Sequence, residues 1–466
     1  MTTGSQSAGC SSLTTPLSIP TMSARVETSA SLAITDHYRC PDSFVTALHS
    51  MPSSGGSKVR PDPFYFDSIG AARMENGQLF LPINPTEVIN SLRYEKYVPA
   101  SKGFTPATTP GRLLSELYYS VRPFLPVSFR KHLQRIYLNG WSNISFPRWP
   151  LDVTVEHLFE TSLLLLMKAT GIEEIPFIWF WPNGADSAAM MTHDVETASG
   201  RNFCNRLMDI DESFGIRSSF QIVPEDRYTV TPSFLEEIRT RGHEINIQDL
   251  NHDGRLFANR SEFELRATRI NRYGREFGAR GFRSAVLYRN LDWFDRLDFE
   301  YDMTVPNVGH LEAQRGGCCT VFPYFVGGLL ELPLTTTQDY TLFHILRDHR
   351  LELWKKQAAG VTARHGLLSF IVHPDYLLES KARDTYHDLL EFLNRFRSER
   401  GMWIATASEL NDWWRLRSRM TLTGRRGAWR MKGQGSERAQ VAYARIRDGR
   451  VTYARDETPA SSNRNI

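Results

Sequence analysis

Three short segments carry side chains that could together handle a cation, a water molecule and a proton. The first, Met191-Thr-His-Asp-Val-Glu196, closes an apolar run with two carboxylates two positions apart. On a strand, alternation sends both to the same side, where one can bind a cation while the other takes a proton. Acidic strand ends are also common without any site, so this segment alone decides nothing. The second is Gly242-His-Glu-Ile-Asn-Ile-Gln-Asp-Leu-Asn-His252. Gln248 and His252 stand four apart, and on one helical turn they would share a face. An imidazole is the commonest metal-binding side chain and a Gln offers a carbonyl oxygen; the blander reading has His252 capping a loop and Gln248 satisfying a backbone group. The third, Ser369-Phe-Ile-Val-His-Pro374, ends an apolar run on His373, an imidazole suited to protonating a leaving amine near neutral pH. A satisfied core histidine is its alternative.

The elements that must position these groups begin near Ala188. Short runs rich in β-branched or aromatic residues predict strands over Ala188–Val195, Ser218–Val223, His243–Gln248, Gly281–Leu287, Phe299–Val305, Leu329–Thr335, Leu367–His373 and Met402–Ala407. Amphipathic stretches between them predict helices over Arg201–Phe214, Pro232–Arg241, Glu262–Phe277, Tyr340–Thr362 and Ala382–Arg400. Such alternation implies parallel strands joined by crossovers, and seven or eight units favour a barrel. Functional groups of a barrel gather at the C-terminal ends of its strands. Asp194, Glu196, Gln248 and His373 all fall at such ends, His252 lies just beyond one, and Arg283 and Asp302 lie on the fourth and fifth strands.

The remaining chain divides around this unit. Residues 1–57, rich in Ser, Thr, Pro and Gly, read as a disordered leader. Residues 58–184 read as a mainly helical extension, with helical spacing over Arg112–Phe124 and Val155–Thr170. The barrel is expected over 185–418, and residues 419–466 form a basic tail with a β-hairpin around Asp448-Gly449. A hydrophobic fraction of 41% supports a substantial core. A net charge of +3, from 55 basic and 52 acidic residues, gives no footprint for nucleic acid. Five cysteines (Cys10, Cys40, Cys204, Cys318 and Cys319) with no Cys-x-x-Cys pair argue against a disulfide framework or a structural zinc site. No run reaches the ~18 apolar residues of a membrane span. The start of the chain has no basic stretch followed by an apolar core, so the expected compartment is the cytoplasm.

Taken in order, these segments resemble the polysaccharide deacetylase family (carbohydrate esterase family four, NodB-homology type) over about Ser187 to Leu410. Asp194-Val-Glu196 is similar to the family's Asp-x-Asp variant of its first motif, with Glu in the metal-binding place. Gln248 and His252 match the His-x-x-x-His of the second motif. Gly281-Phe-Arg-Ser-Ala285 resembles the third, retaining Arg283 but with Ala for Pro; Tyr301-Asp302 resembles the fourth, and Val-His-Pro around His373 the last. The resemblance implies a distorted (β/α)7–8 barrel. It implies Asp194 as catalytic base held by Arg283, His373 as acid supported by Asp302, and one divalent metal on Glu196, Gln248 and His252. Zinc is the first expectation for that metal, although the oxygen-rich set also admits Mn, Co or Ni.

The reaction so implied is metal-assisted removal of an acetyl group from an N-acetylated amino sugar in a glycan or glycan precursor. A backbone N–H near Leu287 or Tyr324 would assist the oxyanion, and Tyr288 and Tyr324 would contact the sugar, with Trp293 and Phe325 as further stacking candidates. Two rivals stand beside it: an inactive carbohydrate-binding or regulatory protein on the same scaffold, and an amidohydrolase acting on a small cyclic amide.

Overall fold

A computed structural model describes residues 73–75, 78–80, 84–98, 138–425 and 428–456. The expected leader over 1–57 and helix over Arg112–Phe124 lie outside the described residues. The first elements are a short hairpin, β1 (Arg73–Glu75) and β2 (Gln78–Phe80), and helix α1 (Pro85–Arg93). Asn84 caps α1, accepting from the N–H of Thr86 and Glu87. Val88, Ile89 and Leu92 of α1 pack on Val155 and Leu158 of α2 (Thr154–Thr170).

The positions of the polar strand ends depend on one curled sheet. Its strands are β4 (Ala188–Val195), β5 (Ser219–Ile222), β6 (Glu244–Gln248), β7 (Gly281–Arg283), β8 (Tyr301–Asp302), β9 (Tyr324–Val326), β10 (Leu329–Glu331), β11 (Leu367–Val372) and β12 (Trp403–Ile404). They run in the order β11-β4-β5-β6-β7-β8-β10-β9, with β12 beside the start of β4. Every pairing is parallel except β9 with β10. Crossovers are made by α3 (Ala198–Ser213), α4 (Pro232–Thr240), α5 (Arg260–Glu276), α6 (Glu352–Thr362) and α7 (Ser380–Arg400), and α8 (Ala407–Arg419) follows β12. This is the distorted α/β barrel that the strand–helix alternation predicts.

Strand β4 shows why the barrel forms. All eight of its residues are buried. Ala189, Met191 and Val195 join the layer between sheet and helices, while Ala188 and Met190 face inward with Tyr301, Leu330, Leu367 and Trp414. Parallel strands covered on both faces must be apolar on both. The inward row of β4 continues as Thr192 and Asp194, so the strand changes from packing to chemistry along its own length.

Between β10 and β11 side chains replace the backbone ladder. Thr335 Oγ1 donates to the Leu367 carbonyl (2.7 Å) and accepts from the Ser369 N–H (3.0 Å). Thr336 Oγ1 donates to Ser369 O (2.7 Å), and Asp339 Oδ2 accepts from His373 N–H (2.7 Å). The extended stretch after β10 thus closes the barrel and ends on a carboxylate.

Some elements are shorter than expected. The strand predicted over Gly281–Leu287 stops at Arg283 because Val286 (φ 58°) and Leu287 (φ 54°) turn left-handed. The strand predicted over Phe299–Val305 is confined to Tyr301–Asp302. The helix predicted over Tyr340–Thr362 divides into a π-helical turn, Thr341–Leu346, and α6, separated by the left-handed Arg347. The terminal hairpin forms as expected, β15 (Val441–Arg447) with β16 (Arg450–Arg455), preceded by a two-stranded piece, β13 (Thr421–Thr423) with β14 (Arg430–Lys432). Asp448 (φ 48°) and Gly449 (φ 73°) supply the two positive φ values its turn requires. β3 (Glu174–Ile178), inside the stretch expected to be helical, adds a third strand to β15. Arg455 pairs with Asp186 at 2.7 Å, which puts this sheet at the entrance end of β4, opposite Asp194.

Candidate active site

Four strand ends and one loop bring the expected residues together. Asp194 ends the inward row of β4 and is buried. Its Oδ1 accepts from Arg283 NH1 at 2.5 Å, and the same nitrogen donates to Thr192 Oγ1 at 2.8 Å. Arg283 Nε donates to Met303 O at 3.0 Å, so the guanidinium, fully buried on β7, is fixed on two sides. A planar fork of this kind orients a carboxylate in a way a flexible ammonium does not.

Glu196 lies one residue beyond β4. Its Oε1 is 2.7 Å from His252 Nε2 and 3.4 Å from His373 Nε2. Burial works against its charge, but the two imidazoles outweigh it and hold the carboxyl well below the usual carboxylate range. Gln248, the last residue of β6, donates through Nε2 to Asp194 Oδ2 (3.0 Å) and Glu196 Oε1 (3.1 Å). His252 reaches Glu196 from a loop rather than from a helical turn: Asp249 (φ 53°) and His252 (φ 56°) are both left-handed. The spacing of four therefore serves through a strained loop, not a helix face.

His373 follows β11. Its Nδ1 is 2.6 Å from Asp339 Oδ1, a carboxylate that can only accept, so Nδ1 carries the proton and Nε2 faces Glu196. Burial disfavours an imidazolium here; Asp339 and Glu196 outweigh it and raise the His373 pKa well above the ordinary value. Tyr376 packs its ring 4.8 Å from that of His373, and Tyr340 and His344 pack against Tyr376 in turn.

Four expectations fail on position. Asp302 does not support His373; its carboxyl accepts from Thr304 N–H and Oγ1, both at 2.8 Å, and pairs with Glu331 inside the barrel. Burial pushes both carboxyl groups up, Glu331 further because it also faces Asp302. The supporting role falls to Asp339, supplied by the stretch that closes the barrel. Tyr324 is buried with its hydroxyl donating to Arg93 O (3.0 Å), which ties β9 to α1 rather than lining the mouth. Tyr288 is buried in the main core. Trp293 stacks beside Phe257 and Phe263. The half-buried aromatic side chains next to His373 are Tyr340, His344 and Tyr376.

The donor set suits a cation. One ligand atom each from Asp194, Glu196 and His373 lies within 4.8 Å of the others. Gln248 Oε1 and His252 Nδ1 are buried without a hydrogen bond, and His252 Nε2 meets only Glu196 Oε1, at 2.7 Å. Buried polar atoms left in that condition are costly unless something binds them. A divalent ion among Glu196, His252 and Gln248 would satisfy Gln248 Oε1 and one ring nitrogen of His252, and which amide atom of Gln248 faces inward is an assignment that a cation would decide.

No protein-family model matches the sequence, and no curated protein matches it either. Among solved structures, the chain is similar to a protein from Mycobacterium smegmatis assigned to the polysaccharide deacetylases: 20% identity over 54% of this chain and 98% of that one, TM-score 0.43. It is similar to PuuE allantoinase at 13% identity over 50% and 92%, TM-score 0.42. It is also similar to the peptidoglycan deacetylase PdaC from Bacillus subtilis at 11% over 50% and 93%, TM-score 0.33. These likenesses concern half of the chain, and what the site does must come from its own atoms. The barrel's strand order, with β4, β6, β7 and β11 delivering their polar side chains to one end, is that of a distorted α/β barrel.

Proposed function

We propose that this chain is a hydrolase that removes the acetyl group from an N-acetylated amino sugar, using a divalent metal, Asp194 as base and His373 as acid. The observation that carries the reading is the meeting of Asp194, Glu196 and His373 within one 4.8 Å cluster, with Arg283 and Asp339 each holding one of its outer members. A cation held by Glu196, His252 and Gln248 would polarise the acetyl carbonyl and acidify a water. Asp194 takes the water's proton: Oδ1 is held by the Arg283 guanidinium, and Oδ2, which accepts from Gln248 Nε2, would be released for the transfer where the Gln248 amide turns its oxygen to the cation. His373 holds its proton on Nε2 for the departing amine, because Nδ1 is committed to Asp339. General acid–base groups of this kind contribute roughly 10²- to 10⁴-fold each. Asp194→Asn and His373→Ala are therefore expected to retain the fold and lose turnover on that order. Unchanged rates in both would end the assignment.

A second reading has one observation in its favour. Gln248 Nε2 already bridges Asp194 and Glu196, an arrangement that satisfies both carboxylates with no cation, as a binding protein without turnover would need. Gln248→His separates the two. In the hydrolase it adds an imidazole ligand and raises zinc affinity with activity retained; in a cation-free binding protein it creates zinc binding where the wild type has none.

A further inference from the structure

Left-handed backbone in residues other than glycine is concentrated where the N-terminal segment meets the barrel. Of eleven such residues among those described, four lie in this one place: Glu95 (φ 54°), Val286 (φ 58°), Leu287 (φ 54°) and Cys319 (φ 55°). For β-branched Val286 the conformation is a true outlier. Strain of this kind persists only where the surroundings over-determine it, and it gathers at functional sites.

The surroundings here converge on Arg289. Its NH1 donates to Leu287 O at 2.8 Å, fixing the strained turn from below. Gln314 accepts from the Arg289 N–H (2.9 Å) and donates to its carbonyl (3.1 Å). The rest of the guanidinium is taken by Glu95, with Nε 2.5 Å from Oε2 and NH2 bonded to Oε1. Both side chains are buried, at 1% and 9% exposure, so the pair is a dry two-pronged contact. Glu95 Oε1 also accepts from Gly317 N–H at 2.6 Å, and Tyr97 donates to Gly317 O at 2.7 Å. A Cβ on Gly316 would fall 2.5 Å from Glu95 Oε1, so the loop can approach only as glycine. The turn so anchored begins two residues after Arg283, and Leu287 packs on Leu334 and on Ile371, two residues before His373.

We propose that Glu95 and Arg289 are positioning residues for the hydrolytic site: through them the N-terminal segment holds the Val286–Leu287 turn and, with it, Arg283 and the wall between Asp194 and His373. This rests on the hydrolase reading for its catalytic half; the holding of the turn does not. The test uses full-length protein as wild type, Glu95→Gln and Arg289→Met, the first also combined with Val286→Gly. Glu95→Gln keeps the shape and guards against a variant that fails to fold. Amide hydrogen exchange and the kcat and KM of acetate release are measured on each.

Exchange over 284–290 is expected to rise about tenfold or more in both single variants while β4, β5 and β6 stay protected. The kcat is expected to fall about tenfold with KM unchanged, as for loss of a transition-state geometry. Val286→Gly, which admits φ > 0 without strain, is expected to restore much of the kcat of Glu95→Gln. Unchanged exchange over 284–290 in both single variants overturns the proposal. So does a lost kcat that Val286→Gly leaves where it was, because that outcome marks a purely structural contact. A wild type that releases no acetate removes the hydrolase reading and the catalytic half with it, while exchange still decides whether the pair holds the turn.

Discussion

Asp339→Asn tests the acid half of the site with the least disturbance of shape. Asp339 is fully buried and accepts two hydrogen bonds from His373, one from the ring at 2.6 Å and one from the backbone at 2.7 Å. The amide can keep one acceptor but not both. Losing one charge-assisted bond costs roughly 1.5–3 kcal/mol, and at 1.36 kcal/mol per tenfold this is about ten- to a hundredfold in kcat if His373 acts as acid. The pH profile gives a second, independent readout. His373 must be protonated to act, so activity falls as pH rises through its pKa, which burial lowers but Asp339 and Glu196 raise well above the ordinary value. Removing the Asp339 charge takes away the larger support, and the falling limb moves to lower pH. The assay is acetate release from pH 5 to 10, covering roughly the range over which a raised imidazole titrates. A falling limb that does not move, together with a kcat close to that of the wild type, would refute the assignment of His373 as acid.

Other consequences can be checked alongside. Arg283→Met leaves the buried Asp194 without its counter-charge, so unfolding free energy is expected to fall by roughly 3–5 kcal/mol and activity to be lost; an unchanged denaturation midpoint would show that Arg283 is not the support of Asp194. Glu156, buried against Thr320 and Val321, has its pKa pushed by burial from 4.5 up to about 7. A carboxyl raised in the folded state stabilises below its unfolded pKa and loses that contribution as pH climbs through the folded value. At 1.36 kcal/mol per pKa unit roughly 3 kcal/mol disappears between about pH 4.5 and 7. Glu156→Gln should remove that pH dependence and be the more stable protein at pH 8; parallel stability curves would contradict it. Gly281→Ala would set a Cβ 2.1 Å from the Tyr301 ring and 2.7 Å from Asn246 Oδ1 at the start of β7. Lower stability and lower kcat are expected together, and a variant indistinguishable from wild type would show that β7 has slack the packing does not display.

The meeting of the polar side chains was legible wherever a strand delivers its own residue. Asp194 and Glu196 stand two apart at the end of one extended run, so alternation alone predicts that they share a side, although β4 itself stops at Val195. Gln248 and His373 close apolar runs, and a parallel strand of that type has its functional groups at its end. Arg283 was legible through its motif, since nothing local distinguishes it from a surface Arg. Asp339 was not legible. It meets His373 only because the stretch Thr335–Asp339 lies along β11 by side-chain bonds, and no periodicity marks a strand whose ladder is made by hydroxyls. The row Thr335-Thr-Thr337 ahead of Asp339 was the available signal. Asp302 was misplaced for the complementary reason: it does occupy a strand end, but β8 places it beside Glu331 of β10. The aromatic candidates Tyr288 and Tyr324 were chosen by residue type, and type does not say which face of a buried element a ring occupies. The Glu95–Arg289 pair spans 194 positions, a distance across which a sequence carries no local trace.

These side chains, loaded with a divalent ion, are proposed to hydrolyse an N-acetyl group. Acetate release should be measured from a panel of N-acetylated sugars, using the full chain with added Zn, Mn, Co or Ni and again after chelation. The expected result is acetate from at least one amino sugar, abolished by the chelator, recovered by the metal and absent in Asp194→Asn. No acetate under any metal, or acetate that survives both chelation and Asp194→Asn, would contradict it.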